Sequence, residues 1–425
     1  MTRAILARVP VNLAYALLGM PLAFFALPLY VHVPKLYADN LGISLASVGT
    51  VLLGARLLDA LLDPLIGRWC DQHRLRKQML LLALPLLLLG WLVLFLPPAA
   101  AGPLWLAGGL VLAYAGYSLA TINHHAWGAE FPSDDEGRLQ ATAWREGAGL
   151  CGIMLAAALP AVLAPTLPEG LVLLGWLFVP LILIATALIV WRVPSVNVRT
   201  TVADVASATT AVPSSRSLWQ SRPFVYLLMI YAVNGIAAAV PATLVLFYVA
   251  DVLQAEAWSG VFLLLYFLAG ALALPFWVGL ANRIGRLSSW LVAMLLAIAS
   301  FAVTPWLAAG DVGWFALVCL ASGIALGADL ALPPSLLAEH VALHGQAATS
   351  YGWWAAVTKF NLALAAGVAL PLVAALGYVP GEGGVGTTGL TWVYGGLPLL
   401  LKLGAVLLLL YARPVLAPLE QGAVK

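Results

Sequence analysis

One arginine and two aspartates interrupt the apolar stretch of residues 48–67. Asp59 and Asp63 are four residues apart, so on a helix both carboxylates project from one face. Pro64 follows directly, and because proline has no backbone N–H, the carbonyl oxygen four residues earlier loses its helical partner. Two carboxylates, a freed carbonyl and the nearby Arg56 favour a site that binds a proton or a cation.

Charges of this kind are costly within a lipid bilayer. An ionised aspartate at the centre of a membrane helix costs roughly 2.5–3.5 kcal/mol on insertion scales, and two neighbouring carboxylates also repel each other. Binding a proton or Na⁺ relieves that repulsion, which is a physical basis for coupling the cation to another process. The alternative is a structural salt-bridge cluster in which Arg56 neutralises the two acids.

The composition is that of a polytopic membrane protein. Of the 425 residues, 63% are hydrophobic and only 9% are charged, and the mean hydropathy is +0.99. A soluble protein carries about a quarter charged residues. Apolar runs of about 20 residues, the length that crosses hydrocarbon as a helix, recur along the chain. No cleavage site follows the first of them, so we expect that helix to be retained. The net charge of +2 does not suggest a nucleic-acid partner.

Several kinds of chemistry find no signature in the sequence. Cys70, Cys151 and Cys319 have no CxxC spacing, so neither a disulfide framework nor a metal site is indicated. The sequence contains no phosphate-binding loop and no hydrolase or metalloprotease motif. We therefore expect neither an enzyme nor a pump that hydrolyses ATP, and no cofactor other than a coupling ion.

Twelve apolar spans predict an all-α membrane protein built as two six-helix halves. Residues 193–222, rich in Ser, Thr, Val and Pro, predict a polar loop between the sixth and seventh spans. We expect an N-terminal half at 1–192, a cytoplasmic central loop at 193–222 and a C-terminal half at 223–425. The predicted spans are about 9–34, 45–67, 79–97, 104–126, 147–166, 170–191, 224–248, 258–280, 288–307, 313–333, 348–376 and 389–412.

Charge and repetition indicate orientation and architecture. With both termini inside, sixteen of the twenty basic residues fall in inner segments and only Lys35 falls in an outer loop. The segment from Pro64 to Asp71 is echoed 211 residues later by the segment from Pro275 to Asn282, and each precedes a basic turn. Two repeated halves with a binding site between them near the midplane are expected of a rocking secondary transporter.

The motifs resemble those of a superfamily and of one narrower family within it. The twelve spans, the central loop and Gly67-x-x-x-Asp71 before a basic run resemble the major facilitator superfamily. The longer string Asp59-x-x-x-Asp63-Pro64-x-x-Gly67-x-x-x-Asp71 resembles the glycoside–pentoside–hexuronide:cation symporter family. Further matches follow in order, namely the loop from Glu130 to Arg138 with Arg145 beyond it, Asn234-Gly235, Asp329 before Pro333-Pro334, and Tyr351-Gly352 leading to Thr358-Lys359.

The resemblance implies a cation site. Asp59 and Asp63 would bind the coupling cation, and Lys359 would lie near both cation and substrate and pair with one of these acids. Snorkelling toward an end of its span is the alternative for Lys359. Na⁺ requires additional oxygen ligands, which Ser118 and Thr121 would supply. A proton requires only a carboxylate, so both H⁺ and Na⁺ stay open.

One departure from the family favours the proton. In the best known member an asparagine directly precedes the second aspartate, and Leu62 takes that position here.

A second departure concerns the substrate. The acids that bind sugar hydroxyls on the first and fourth helices of that member are missing here. No acidic residue occurs between Met1 and Asp39, and the fourth-helix position falls at about Thr121.

A second group of residues is assigned to substrate binding. Arg145 either clamps the substrate or pairs with Glu130 or Glu146. The cluster around Asn123 and His125 either binds substrate or anchors the helix at the membrane interface. The predicted substrate-binding residues are Arg145, Asn123, His125, Trp127, Asn234, Trp354 and Lys359.

A third group is assigned to ion pairing and gating. The basic turn after the second span resembles the superfamily's cytoplasmic gate, with simple topology-setting charge as the alternative. Asp329 is expected to pair with Lys359 or Lys402, and Lys402 either pairs or snorkels. The predicted gating residues are Arg56, Gly67, Asp71, Arg74, Arg76 and Asp329.

The sequence therefore predicts a cation-coupled symporter, with H⁺ or Na⁺ as coupling ion, that moves a small polar solute such as a sugar or sugar acid by alternating access. The alternatives are a proton-coupled exporter and a non-transporting membrane receptor. The expected partners are a small-molecule substrate and the lipid bilayer of a bacterial inner membrane, without nucleic acid, and we expect a monomer.

Overall fold

The computed structural model describes residues 10–73, 75–98, 100–132, 134–163, 167–194, 216–379 and 386–420. A short helix, Val11–Ala16, comes first. Twelve long helices follow within the described ranges, which contain no strand. They are α1 Gly19–Lys35, α2 Leu45–His73, α3 Arg76–Phe95, α4 Pro103–Glu130, α5 Asp135–Leu163, α6 Leu167–Arg192, α7 Arg222–Phe247, α8 Ser259–Ile284, α9 Arg286–Ala302, α10 Val312–His344, α11 Ala347–Ala375 and α12 Leu397–Leu416.

The predicted class, an all-α membrane protein, is confirmed. Ten segments of the described chain are long and apolar enough to cross a membrane. The two long helices outside that set are α2, which carries Asp59 and Asp63, and α5, which carries Arg145 and Glu146. Both helices outside the set therefore carry predicted site residues.

Three helices extend beyond their predicted spans by six residues or more. Helix α5 begins at Asp135 rather than at residue 147, α10 runs to His344 rather than residue 333, and α2 continues to His73 rather than residue 67. Charged side chains in these extensions lower the local hydropathy, which is why the predicted spans ended too early. The helices continue because charged side chains in the extensions, such as Asp71, Arg138 and Glu339, form ion pairs.

The chain divides into two compact units, each described here by itself. The first comprises Met1–Gln220 together with Ala338–Ala356, and the second comprises Ser221–Leu337 and Val357–Lys425. The end of α10 and the start of α11 thus belong with α1–α6. The predicted boundaries at 192 and 223 stay a prediction, and residues 195–215 of the predicted central loop lie outside the described residues.

Helices α1 and α5 pack closely in the first unit. A Cβ atom placed on Gly152 of α5 would lie 2.1 Å from the carbonyl oxygen of Met20, so only glycine permits this backbone approach. Aromatic rings fill the neighbouring core, where Phe25 and Trp91 both pack against Phe178. This packing fixes the rotation of α5 relative to α1.

The sequence repeat corresponds to a repeated contact. Arg76, the first residue of α3, is buried and bonds to Glu130 at the end of α4. In the second unit Arg286, the first residue of α9, is also buried, and its Nη1 donates to the carbonyl oxygen of Ser335 on α10 at 3.0 Å. Each basic turn therefore ties its helix to the helix that follows next along the chain.

Candidate functional site

The predicted cation-binding acids are buried in the first unit. Asp59 is 5% exposed and Asp63 is 0% exposed, and α2 continues as a helix through Pro64. Ser118 Oγ on α4 donates a hydrogen bond of 2.7 Å to Asp59 Oδ1. The hydroxyl of Thr121 instead donates to the carbonyl oxygen of Tyr117 on its own helix, at 2.7 Å. One of the two predicted hydroxyls thus reaches the acids.

Arg56 contacts an aromatic ring. Its guanidinium carbon lies 4.3 Å from the centroid of the Tyr30 ring on α1, a cation–π distance. The guanidinium group of Arg56 on α2 therefore packs against α1.

Lys359 lies at the middle of α11 and belongs to the second unit, with 7% of it exposed. Burial at mid-helix does not fit the snorkelling alternative, which places the ammonium at a helix end. One residue earlier, Thr358 shares a hydroxyl–hydroxyl hydrogen bond of 2.7 Å with Tyr231 of α7. Lys359 belongs to the second unit and the two acids belong to the first. Its pairing with Asp59 or Asp63 stays a prediction.

Arg145 pairs with its sequence neighbour. Its Nη2 and Nε donate to Glu146 Oε1 at 2.7 and 3.1 Å, and its Nη1 donates to Tyr15 Oη at 3.2 Å. Tyr15 Oη in turn donates to the carbonyl oxygen of His124. Of the two partners expected for Arg145, the structure selects Glu146, and Glu130 is occupied by Arg76.

The polar cluster near the end of α4 is largely buried. Asn123 Nδ2 donates to the carbonyl oxygen of Arg76 at 2.6 Å. Trp127 is fully buried and its Nε1 donates to the carbonyl oxygen of Pro194 at 3.0 Å, which does not fit the interfacial-anchor alternative for that residue. His125 meets the ring of Tyr351 edge-on at 5.5 Å.

Trp354, the remaining predicted substrate residue of the first unit, is buried on α11. The substrate-binding roles of these residues stay predictions.

A buried polar network joins four helices of the second unit. Lys402 Nζ on α12 donates to Asp329 Oδ2 at 2.8 Å and to Asn234 Oδ1 at 2.7 Å. Asn234 Nδ2 on α7 and Trp290 Nε1 on α9 both donate to Asp329 Oδ1. Of the expected alternatives, Lys402 therefore takes the paired one, with Asp329 as its partner.

Helix α2 and the first turn of α11 are joined by close backbone packing and by Asp71. A Cβ atom on Gly67 would lie 2.2 Å from the carbonyl oxygen of Ala348, and one on Gly352 would lie 2.5 Å from that of Asp63. Only glycine allows this approach.

The Asp71 carboxylate accepts hydrogen bonds from the backbone N–H groups of Ala348 and Thr349 at 2.9 and 2.7 Å, and from the Thr349 hydroxyl at 2.7 Å. It therefore caps the N-terminus of α11, where negative charge is favoured. Arg76 bridges Asp71 and Glu130 at 2.9 and 2.6 Å. Arg74, assigned to the same gate, lies outside the described residues.

Sequence reasoning missed two participants. Glu339 on α10 pairs with Arg138 at 2.7 Å, and Tyr15 links Arg145 to α4. A signal existed for Glu339, because an acid late in an apolar helix requires a partner.

The helical arrangement is that of the major facilitator fold. A bacterial homologue of the iron transporter ferroportin, solved in an outward-facing state, is similar with a TM-score of 0.74 and 17% identity, covering 96% of this chain and 100% of that chain. The E. coli fucose:proton symporter FucP is similar with a TM-score of 0.70 and 14% identity, covering 95% and 98%. The proton:xylose symporter XylE gives 0.62 and 13%, covering 92% and 93%. At these identities the likeness shows the fold.

The family model of MFS/sugar transport proteins matches residues 10–413, and the chain belongs to that family. Among curated proteins none matches the chain. Membership confirms the resemblance drawn from the α2 motif. The protein is a multi-pass membrane transporter, and its family comprises carriers rather than enzymes.

Proposed function

We propose that the protein is a proton-coupled symporter of a small polar solute, a sugar or sugar acid, in the inner membrane of a bacterium. The observation that carries this proposal is the burial of Asp59 and Asp63 one helical turn apart, with Ser118 donating to Asp59. Two buried carboxylates at this spacing repel each other when both are ionised. Uptake of one proton removes the repulsion and lowers the cost of the charge in the membrane.

Two observations support H⁺ over Na⁺ as the coupling ion. Na⁺ requires several oxygen ligands, but the hydroxyl of Thr121 is turned to the backbone of its own helix. Leu62 occupies the position where the best known member of the family has an asparagine. A carboxylate that binds a proton requires neither group.

The proposed transport cycle uses alternating access. The cap of Asp71 on α11 and the ion pair between Arg138 and Glu339 tie the end of α10 and the start of α11 to α2 and α5. We assign these contacts to the cytoplasmic gate, with both termini cytoplasmic. Because the contacts of such a gate change between inward-open and outward-open states, their strength sets the relative population of the two states. The transporter acts as a monomer, without cofactor other than the coupling ion.

The test uses proteoliposomes that contain a pH-sensitive dye, in Na⁺-free buffer. Glucose, galactose, xylose, fucose, glucuronate and galacturonate are added outside one at a time. We expect one of them to acidify the interior of wild-type vesicles, because solute and proton enter together.

Asp59→Asn should abolish this acidification while downhill entry of the radiolabelled solute continues. Glu256→Gln, a change at an exposed position just before α8, serves as the matched control and should behave as wild type. Persisting acidification in Asp59→Asn would refute the coupling assignment. Alkalinisation on solute entry would instead indicate an antiporter, the exporter alternative.

A further inference from the structure

Glu146 presents one carboxylate oxygen that the fold does not use. Both hydrogen bonds from Arg145 end on Oε1. Within the described part of the chain, Oε2 takes part in no hydrogen bond. The Glu146 side chain is 22% exposed whereas that of Arg145 is 3% exposed, so the arginine lies behind the acid.

The exposed part of Glu146 lies away from the lipid-facing side of α5. Trp144 is 57% exposed, and Cys151 and Leu155 on the same helical face are also exposed. Glu146 is two positions beyond Trp144, which places it about 200° around the helix from that apolar strip. Gly152 and Arg145 face α1. Glu146 therefore opens onto the interior side of the first unit.

The charge balance around Glu146 is unfavourable to an anion. Arg145 uses three of its five N–H hydrogens on Glu146 and Tyr15, which leaves two. A substrate carboxylate here would meet the Glu146 carboxylate and an arginine that is already paired with it. A hydroxyl group instead donates to Glu146 Oε2 and accepts a remaining Arg145 N–H, and both of these hydrogen bonds are charge-assisted.

We propose that Glu146 is a substrate-binding residue that accepts hydrogen bonds from the hydroxyl groups of a neutral sugar or polyol, with Arg145 donating to the same hydroxyls. Glu146 thereby narrows the proposed solutes to neutral ones, because its negative charge disfavours a sugar acid. This inference rests on the proposed transport of a sugar-like solute, but it concerns binding and not coupling.

The test measures ligand-induced thermal stabilisation of the purified full chain, since a ligand that binds the folded state raises its melting temperature. The probes are matched pairs, glucose with glucuronate and galactose with galacturonate, together with xylose and fucose. We expect a neutral sugar to stabilise the wild-type protein and its uronate not to. Glu146→Gln should weaken binding of that sugar by about tenfold or more, the effect of losing a hydrogen bond to a charged group.

A second series separates binding from a purely structural role. Glu146→Asp keeps a negative charge beside Arg145 but withdraws it by one methylene, so it should melt like wild type and still bind more weakly. Monodeoxy analogues of the stabilising sugar identify the contact. The analogue lacking the bound hydroxyl should lose affinity for the wild-type protein but lose no more for Glu146→Gln, because the two changes remove one interaction.

Several results would overturn the inference. These are stabilisation by a uronate at least equal to that by its neutral partner, unchanged affinity in both Glu146 variants, additive losses for every analogue, or no stabilisation of wild type by any neutral sugar. Failure of the proposed coupling is distinguishable, because a wrong coupling assignment leaves acidification intact in Asp59→Asn and does not alter these binding measurements.

Discussion

Lys402 Nζ lies 2.8 Å from Asp329 Oδ2, and this ion pair is enclosed in the second unit by hydrogen bonds from Asn234 and Trp290 to the same carboxylate. The pair joins α10 to α12, and the two donors add α7 and α9. Four helices of the unit are therefore connected through one carboxylate, which satisfies the buried lysine without exposing it to water.

Removing one partner of this pair should destabilise the protein more than removing both. Lys402→Met or Asp329→Asn alone leaves a buried charge uncompensated, at a cost of about 3–5 kcal/mol. The double variant should recover most of that loss. Thermal melting in detergent measures the effect, and Arg413→Gln, at an exposed position of α12, is the control. A double variant that melts below both single variants would contradict the pairing.

The cap of Asp71 on α11 should contribute through both its hydrogen bonds and its charge. We expect Asp71→Asn to lower stability because the amide keeps an acceptor but loses the charge, and Asp71→Ala to lower it further. The total cost should be about 1–2 kcal/mol. Asp134→Asn, which changes an exposed aspartate that bonds to the N–H of Gly137, should have a smaller effect. Equal melting temperatures for all three variants would argue against the cap.

Gly67 should tolerate no larger residue, whereas Gly54 on the same helix should. In Gly67→Ala the new Cβ would lie 2.2 Å from a backbone carbonyl oxygen that a rotamer change cannot move. Nothing lies within 4 Å of a Cβ placed on Gly54. Size-exclusion chromatography of the two alanine variants should show loss of the monodisperse peak for Gly67→Ala alone. Normal yield and melting temperature for Gly67→Ala would exclude the close helix contact.

Ser118 and Thr121 should differ in their importance for coupling. Ser118→Ala removes a hydrogen bond that favours the ionised form of Asp59, so the carboxylate should release its proton less readily and solute-driven proton uptake should fall by about tenfold during turnover. Thr121→Val removes only a bond to its own helix and should leave uptake unchanged. Loss of uptake in Thr121→Val, together with stimulation by Na⁺ in the wild type, would favour sodium coupling.

The sequence predicted the residues that need partners better than it predicted the partners. Charges in apolar helices are visible because they are costly, so Asp59, Asp63, Lys359 and Asp329 could be singled out in advance. The choice of Glu146 over Glu130 by Arg145 depends on the rotation of α5, which glycine packing against α1 determines. The rotation of α5 about its axis cannot be predicted from the spacing of residues in the sequence.

Helix ends were less predictable than helix centres. The extensions of α5 and α10 carry Arg138 and Glu339, which lower the hydropathy of each segment when it is considered alone. Their cost is offset only when the two side chains meet, 201 residues apart in the sequence. The cap of Asp71 on Thr349 could not be predicted for a similar reason. One of its partners is a backbone N–H group, which amino-acid composition does not reveal.

The close packing of α2 on α11 has a consequence for biogenesis. Asp71 and Ala348 are separated by 277 residues, so at a synthesis rate of about 5–20 residues per second the ribosome needs on the order of tens of seconds to supply the second helix. During that interval the nascent chain holds a membrane-inserted α2 whose glycine face and carboxylate have no partner from α11. This helix surface therefore stays unpacked by α11 until most of the chain has been synthesised.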